Sequence, residues 1–197
     1  PVVTFALTTY CNNKIPCLIC DRNTRSQSSD LETYKLVIEA VRPLLRTAKY
    51  VLLHCGGEAM LSRYFDEVIA SINPPTRVYF ATNAMLLTEK RADLMLKNDV
   101  MDTFVVSLDA STPEMYRIMR PSCDFDTVIK NIKYYTDKAK SLKRTSGVIL
   151  NMTICEANLK DVPNLVDLAV KAGAIGVDYN HLNSGLNHTV ATIDGWD

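Results

Sequence analysis

Three cysteines lie close together near the start of the chain. They are Cys11, Cys17 and Cys20, with five and then two residues between them. Thiolates at such short loop spacings can bind the irons of an iron–sulfur cluster or a zinc ion. Three thiolates would leave one iron of a four-iron cluster open for a further ligand. The spacing therefore favours a [4Fe–4S] cluster as the first interpretation.

Two other uses of the cysteines stay open. A structural zinc site usually has four protein ligands, and the fourth would have to come from Cys55, Cys123 or Cys155. The chain has six cysteines, an even number, and disulfide pairing is the usual expectation in a small secreted protein. Here no charged segment followed by a long apolar stretch is visible as a secretion signal. We therefore expect reduced thiols and a cytoplasmic protein.

Further polar residues lie after the predicted strands, at their ends or, for Asn151, within the fifth strand, and Arg120 lies near a predicted helix end. Gly56 and Gly57 would let a ligand approach the backbone, and Glu58 could accept a strong hydrogen bond from a cationic group. Each residue of this set also has an ordinary use in a turn or at the end of a strand or helix. The other members of the set are Asn83, Ser107, Asp109, Arg120 and Asn151.

Short apolar runs alternate with longer amphipathic segments along the chain. Ser29 and Glu32 form a capping box that predicts a helix start, Leu61 marks the second helix, and Asn158 is predicted to cap a later one. The clearest apolar stripe at helical spacing comprises Phe125, Val128, Ile132, Tyr135, Ala139 and Leu142. The predicted strands span residues 2–7, 50–54, 77–81, 103–108, 147–154 and 176–179.

Six strand–helix alternations with nearly continuous apolar strands predict an α/β fold with an all-parallel sheet. A doubly wound open sheet and a barrel both fit this pattern. A full eight-unit barrel needs about 250 residues, so a barrel made by these 197 residues would be partial. In either architecture ligands bind at the carboxyl ends of the strands. We therefore expect the polar residues after the strands to share one mouth with the three cysteines.

The composition argues against several classes of partner. Lys plus Arg total 22, as do Asp plus Glu, whereas nucleic-acid-binding proteins usually show a basic excess. No apolar run approaches the ~20 residues that a membrane span needs. The chain also contains no phosphate-binding P-loop, no dinucleotide-binding glycine motif and no nucleophile elbow. We expect neither a nucleic acid nor a membrane as partner.

The order of the motifs resembles the radical S-adenosylmethionine (radical SAM) superfamily. The three cysteines follow the first strand, Gly56-Gly57-Glu58 follows the second, Thr82-Asn83 the third and Ser107-Leu108-Asp109 the fourth. This resemblance covers about residues 4 to 182. It implies a partial (β/α)6 TIM-like barrel, with residues 1–197 as one core domain that is cut short after the sixth strand.

The resemblance also implies the cofactors and partners. Cys11, Cys17 and Cys20 would bind a [4Fe–4S] cluster, whose open iron would chelate S-adenosylmethionine (SAM). Reductive cleavage of SAM would give methionine and a 5′-deoxyadenosyl radical, which would take hydrogen from a small-molecule or peptide substrate. A protein such as a flavodoxin or ferredoxin would supply the electron. The implied SAM-binding residues are Glu58 at the amino group, Ile19 near adenine, and Gly56, Gly57, Asn83, Ser107, Asp109, Arg120 and Asn151.

Two features depart from the usual family pattern. The first cysteine spacing is five residues instead of three, as in a group that resembles iron-hydrogenase cofactor maturases, and Ala59 stands where Pro is usual. The pattern looks like the branch of peptide- and cofactor-maturing oxidoreductases, so we expect an enzyme of that type. The alternative is a non-catalytic iron–sulfur or zinc-binding α/β module. Glu58, Ser107 and Asp109 favour catalysis, because a purely structural metal site does not need them at its mouth.

Overall fold

Six parallel strands form one sheet in chain order. A computed structural model describes residues 1–20, 31–53 and 56–182 of the chain. Each strand pairs in parallel with its sequence neighbour, in the order β1-β2-β3-β4-β5-β6. Their bounds are β1 Val2–Phe5, β2 Tyr50–Leu53, β3 Arg77–Thr82, β4 Thr103–Ser107, β5 Gly147–Ile154 and β6 Gly176–His181.

The strand order decides between the two architectures that the sequence allowed. In a doubly wound sheet the order reverses at a switch point, whereas here it runs from β1 to β6 without reversal. A sheet in which each parallel strand pairs with the next strand of the chain is the arrangement of a (β/α) barrel. The prediction of an α/β fold with a partial, TIM-like (β/α)6 barrel is therefore confirmed.

Helices connect the strands and cover the sheet. Side chains cap three of these helices, because Thr88, Thr112 and Asp124 each accept a hydrogen bond from a backbone N–H of the following helix. Three 3-10 turns also occur, at Leu44–Arg46, Ala59–Leu61 and Glu156–Asp161. The helices are α1 Leu31–Val41, α2 Phe65–Ser71, α3 Glu89–Lys97, α4 Pro113–Met119, α5 Phe125–Ser141 and α6 Asn164–Ala172.

An aromatic column joins the sheet to its helices. The rings of Phe65, Phe80, Phe104 and Tyr135 follow one another with centroid separations of 5.4, 5.4 and 4.8 Å, within the range of favourable aromatic pairs. All four side chains are almost fully buried. Tyr135 belongs to the apolar stripe predicted for α5, of which Val128, Ile132, Tyr135 and Ala139 are buried, whereas Leu142 lies after the helix and is exposed.

Some local predictions are corrected. The second helix begins at Phe65, because Leu61 ends a separate 3-10 turn. Asn158 does not cap α6; it lies inside a 3-10 turn, where its side-chain oxygen accepts from the Cys155 N–H at 2.8 Å. The predicted cap at Ser29 lies outside the described residues, as does Cys55. Within the described ranges no helix is long and apolar enough to cross a membrane.

Candidate functional site

A cavity of about 330 Å³ opens at the carboxyl ends of the strands. Its position is the one expected for ligands in a barrel of parallel strands. Ten of the twelve site residues predicted from the sequence line it, and the two that do not are Asp109 and Asn151. The ten are Cys11, Cys17, Ile19, Cys20, Gly56, Gly57, Glu58, Asn83, Ser107 and Arg120.

The cysteine loop is held against the segment that follows α4. The Leu18 N–H donates to the Met119 carbonyl at 2.8 Å, and the Ile15 N–H donates to the Ser122 hydroxyl at 2.7 Å. Cys17 is buried, whereas Cys11 and Cys20 are half-buried. These contacts fix the loop so that all three thiols line the cavity.

The thiols are available as ligands. Cys11, Cys17, Cys20, Cys123 and Cys155 form no disulfide, so the disulfide alternative does not hold for these five. In the described part of the chain, no three Cys, His, Asp or Glu side chains lie close enough together to hold one metal ion. A cluster spreads its ligands more widely than a single zinc ion does, because each thiolate binds a different iron.

Gly57 brings the loop after β2 into contact with the cysteine loop. A Cβ atom at this position would lie 2.0 Å from the Tyr10 carbonyl oxygen. The neighbouring Glu58 N–H donates to that same oxygen at 2.7 Å. Tyr10 directly precedes Cys11, so only a residue without a side chain allows the two loops to meet beside the first thiol.

We expect the Gly57→Ala variant to lose stability and cluster binding. The added methyl group must push the Tyr10 backbone away, and such overpacking typically costs about 1–3 kcal/mol of unfolding free energy. Urea unfolding measures the first effect and the iron content after reconstitution the second. Gly176→Ala is the matched control, because a Cβ there has nothing within 4 Å. Equal effects of the two substitutions would contradict this role of Gly57.

The carboxylate of Glu58 is deeply buried in the cavity wall. The side chain is 2% exposed. One oxygen accepts from the Thr82 hydroxyl at 2.6 Å and from the Met60 N–H at 3.2 Å, and the other accepts from the Asn83 N–H at 2.8 Å. Burial raises the pKa of Glu58, and these hydrogen bonds and the Arg120 charge offset part of that rise. The site thus holds a carboxyl group whose charge is costly unless a cation approaches.

Asn83 connects the carboxylate to the cysteine loop. Its amide nitrogen donates to the Asn12 side-chain oxygen at 2.8 Å, and its own side-chain oxygen accepts from the Met85 N–H at 3.0 Å. The amide therefore cannot rotate without losing contacts at both ends. It holds the end of β3 beside Cys11, the residue next to Asn12.

Arg120 crosses the cavity and forms an ion pair with Asp109. The side chains are 9% and 0% exposed, respectively. The second Asp109 oxygen accepts from the Thr153 N–H at 2.8 Å, which ties β5 to the pair. Burial lowers the pKa of Arg120, but Asp109 and the nearby Cys17 raise it by more. The guanidinium therefore stays charged at the cavity wall.

We expect Asp109→Asn to lower the unfolding free energy by about 3–5 kcal/mol, because it leaves the buried Arg120 without its counter-ion. Urea unfolding at neutral pH measures the change. Glu67→Gln is the control, since Glu67 pairs with Arg42 where both side chains are 42–51% exposed. An exposed pair is worth at most about 1 kcal/mol. A smaller loss from the buried pair than from the exposed one would contradict this account.

Two predicted residues have other contacts. Asp109 is fully buried beneath Arg120, so it orients the guanidinium and does not reach the cavity. Asn151 directs its amide to β6, where it donates to the Asp178 carboxylate at 3.2 Å and to the Asp178 carbonyl at 3.3 Å. Ser107 and Ile19 are half-buried and line the cavity as predicted.

Five residues of the cavity wall were not predicted from the sequence: the apolar Leu53 and Ala81 and the polar Asn13, Thr82 and Thr153. Thr82 could have been identified, because it ends β3 immediately before Asn83. The sequence indicates Asn13 less clearly, because it is one of two asparagines inside the cysteine loop. Its partner Cys123 lies 110 residues away in the chain, so no local pattern connects the two.

The donor set fits the cofactors implied by the resemblance. Three thiols that form no disulfide match the three protein ligands of a cluster with one open iron. The Glu58 carboxylate can accept from an ammonium group. The Nε atom of Arg120 is buried and has no hydrogen-bond partner among the described residues. A carboxylate ligand would satisfy this donor.

Known proteins resemble this chain in sequence and in fold. The model of the radical SAM superfamily matches residues 5–169. A probable GTP 3′,8-cyclase of Methanocella arvoryzae is 29% identical over 163 residues, which are 82% of this chain and 50% of that protein. The probable GTP 3′,8-cyclase of Methanosarcina acetivorans is 34% identical over 126 residues, or 62% of this chain and 36% of that one. The chain thus spans about half or less of the length of these relatives.

Solved structures show the same fold at low sequence identity. Streptococcus suis SuiB bound to SAM superposes with a TM-score of 0.74 at 15% identity, covering 97% of this chain and 43% of SuiB. The enzyme anSMEcpe with bound AdoMet gives a TM-score of 0.70 at 15% identity, covering 97% and 56%. Because the family model spans most of the chain, the chain belongs to the radical SAM superfamily, whose members bind a [4Fe–4S] cluster and SAM.

Proposed function

We propose that the chain is the core of an enzyme that cleaves SAM reductively to start a radical reaction on a further substrate. The observation that carries this proposal is one cavity lined by the thiols of three cysteines that form no disulfide and by the buried carboxylate of Glu58. When bound, the cluster supplies one electron to SAM, which yields methionine and a 5′-deoxyadenosyl radical. The protein supplies the ligands, the orientation of SAM and the exclusion of water.

Each part of SAM has a candidate partner in the cavity wall. Cys11, Cys17 and Cys20 hold the cluster, and Glu58 accepts from the SAM ammonium group. That contact offsets the cost of keeping the Glu58 carboxylate charged, since an opposite charge within a few ångströms favours the ionised form. Arg120 donates its free Nε–H to the SAM carboxylate.

The remaining wall residues serve the nucleoside. Asn83 and Ser107 provide polar groups for the ribose or carboxylate, and Ile19 packs against adenine. Gly56 and Gly57 keep the backbone of the loop after β2 open to the ligand. Asp109 orients Arg120 without reaching the cavity, and Asn151 has its amide engaged by Asp178, so we do not assign it to SAM.

The second substrate defines the kind of maturation reaction. The relatives are named probable GTP 3′,8-cyclases, which makes GTP the first candidate. SuiB is solved with the precursor peptide SuiA, which makes a peptide the second candidate. A protein such as a flavodoxin or ferredoxin supplies the electron. We propose a cytoplasmic location, because free thiols and a reducible cluster fit a reducing compartment.

The decisive assay does not need the second substrate. Protein reconstituted anaerobically with iron and sulfide is reduced with dithionite, given SAM and analysed for 5′-deoxyadenosine and methionine by mass spectrometry. We expect both products in equal amounts, formed slowly without the second substrate. Adding GTP in one arm and a precursor-type peptide in another shows which of them accelerates the reaction.

The alternative is a non-catalytic module with a structural metal site. A protein that binds one zinc ion per chain with no cluster absorbance and no SAM cleavage would support that alternative. A [4Fe–4S] cluster that leaves SAM intact under reduction would also contradict the proposed activity, while keeping the ligand assignment.

A further inference from the structure

A hydrogen-bonded path leads from a buried thiol outside the cysteine loop to one of the cluster cysteines. Cys123 donates its S–H to the Asn13 side-chain oxygen at 2.9 Å. The Asn13 side-chain nitrogen donates to the Cys17 sulfur at 3.1 Å. All three residues are at most 9% exposed. The path is therefore screened from water along its length.

The two ends of the asparagine amide differ, and Cys123 determines which end faces Cys17. A protonated thiol donates, so it engages the Asn13 oxygen and leaves the NH₂ group directed at the Cys17 sulfur. Burial raises the pKa of Cys123 to about 11, which keeps this thiol protonated at neutral pH. A thiol is a weak hydrogen-bond donor. Its position against the Asn13 side-chain oxygen therefore indicates a specific role for Cys123.

We propose that Asn13, oriented by Cys123, sets the reduction potential of the cluster by donating a hydrogen bond to the sulfur of Cys17. This inference rests on the proposed function, since it assigns two residues that tune its electron transfer. Neither residue ligates iron or touches SAM in this account. Both act through Cys17 as positioning residues.

The direction of the effect follows from electrostatics. Reduction adds one negative charge to the cluster and its thiolates. An N–H dipole aimed at a thiolate sulfur stabilises that added charge and so makes reduction easier. A buried site strengthens the interaction, because the local dielectric constant is lower than that of water.

Arg120 is the other donor to this sulfur, and it acts less directly. Its Nη1 atom lies 3.5 Å from the Cys17 sulfur, and its charge is already paired with Asp109. Asn13 is neutral, closer to the sulfur and joined to the Cys123 thiol on its far side. Substitution of Asn13 therefore removes the hydrogen bond to the Cys17 sulfur, together with the one from Cys123, without removing a charge.

The test is a redox titration of the reconstituted protein without SAM, followed by electron paramagnetic resonance of the reduced cluster. We expect Asn13→Ala to make reduction about tenfold less favourable, a downward shift of about 59 mV in the one-electron midpoint potential. Cys123→Ala should shift the midpoint in the same direction by a smaller amount. Cys123→Ser should keep the wild-type midpoint, because its hydroxyl still donates to Asn13.

Cys155→Ala is the matched control. It removes a buried thiol whose sulfur contacts the Met119 sulfur at 4.0 Å and does not line the cavity, and the midpoint should not change. Wild-type midpoints in both Asn13→Ala and Cys123→Ala would overturn the inference, as would equal shifts in Cys123→Ala and Cys123→Ser. If the Asn13→Ala protein does not assemble a cluster, the comparison of Cys123→Ala with Cys123→Ser still tests the inference.

The proposed function and this inference can fail separately. A wild-type protein that assembles no [4Fe–4S] cluster would overturn both. A protein that cleaves SAM but whose midpoint is insensitive to Asn13 and Cys123 would overturn the inference alone. A midpoint that shifts as expected in a protein that leaves SAM intact would support the inference and overturn the proposed activity.

Discussion

Replacing Cys17 with alanine will abolish cluster binding. Cys17 is the buried member of the three thiols and the one that accepts hydrogen bonds from both Asn13 and Arg120. Two thiolates hold a four-iron cluster far less firmly than three, and the vacated position is enclosed by protein. We expect about four irons per reconstituted wild-type chain and less than about one tenth of that in the variant. Iron and sulfide analysis with visible absorption measures both.

Cys155→Ala is the control for this substitution too, because Cys155 is equally buried but does not line the cavity. It should keep the wild-type iron content and the cluster absorbance. Circular dichroism of both variants checks that each remains folded. Full iron content in the Cys17→Ala protein would show that the ligand assignment is wrong.

Replacing Glu58 with glutamine will weaken SAM binding by about ten- to a hundredfold. A hydrogen bond to a charged group contributes roughly 1.5–3 kcal/mol, and about 1.4 kcal/mol corresponds to a factor of ten in affinity. Glutamine also places an NH₂ group against N–H or O–H donors, since both Glu58 oxygens are acceptors here. Anaerobic titration calorimetry of the cluster-loaded protein with SAM measures the loss.

The Glu58→Gln protein should still fold and bind its cluster. Losing a buried charge relieves part of the burial cost that raises the pKa of Glu58, and this relief offsets part of the cost of the mismatched donor. Glu114→Gln serves as the control, because its side chain is 74% exposed on α4, where it pairs with Arg117. If both variants bind SAM as tightly as the wild type, Glu58 does not contact the ammonium group.

The fold could be predicted because its pattern is local. Apolar runs of four to eight residues alternate with stripes at helical spacing, and α3, α4 and α5 each start at a side-chain cap, such as Thr88 for α3. The choice between a barrel and a doubly wound sheet could not be made from these signals. Both have the same alternation of strands and helices, and only strand order separates them.

Most residues of the cavity wall could be predicted from the sequence, because the carboxyl ends of parallel strands lie together at the end of the barrel where ligands bind. Residues at the ends of parallel strands or in the loops after them meet at one edge of the sheet, and so Glu58, Asn83 and Ser107 line one cavity. The direction of a side chain was not predictable in this way. Asn151 is drawn towards Asp178 on the neighbouring strand β6, a partner that appears only when the strand register is known.

Contacts between segments that are far apart in the chain could not be predicted from the sequence. Asp109 and Arg120 were both predicted as SAM-binding residues. They form an ion pair with each other, in which the fully buried Asp109 orients the Arg120 side chain. Asn13 and Cys123 meet across 110 residues. Each contact depends on how the turn after α4 packs against the cysteine loop, which is a property of the folded chain.

The central claim is that one cavity holds the cluster and SAM together. The most direct measurement is the electron paramagnetic resonance spectrum of the reduced, reconstituted protein before and after SAM is added. SAM bound at the open iron changes the electronic environment of the cluster. We therefore predict a changed signal in the wild type and an almost unchanged signal in Glu58→Gln at the same SAM concentration. Identical wild-type spectra with and without saturating SAM would contradict the claim.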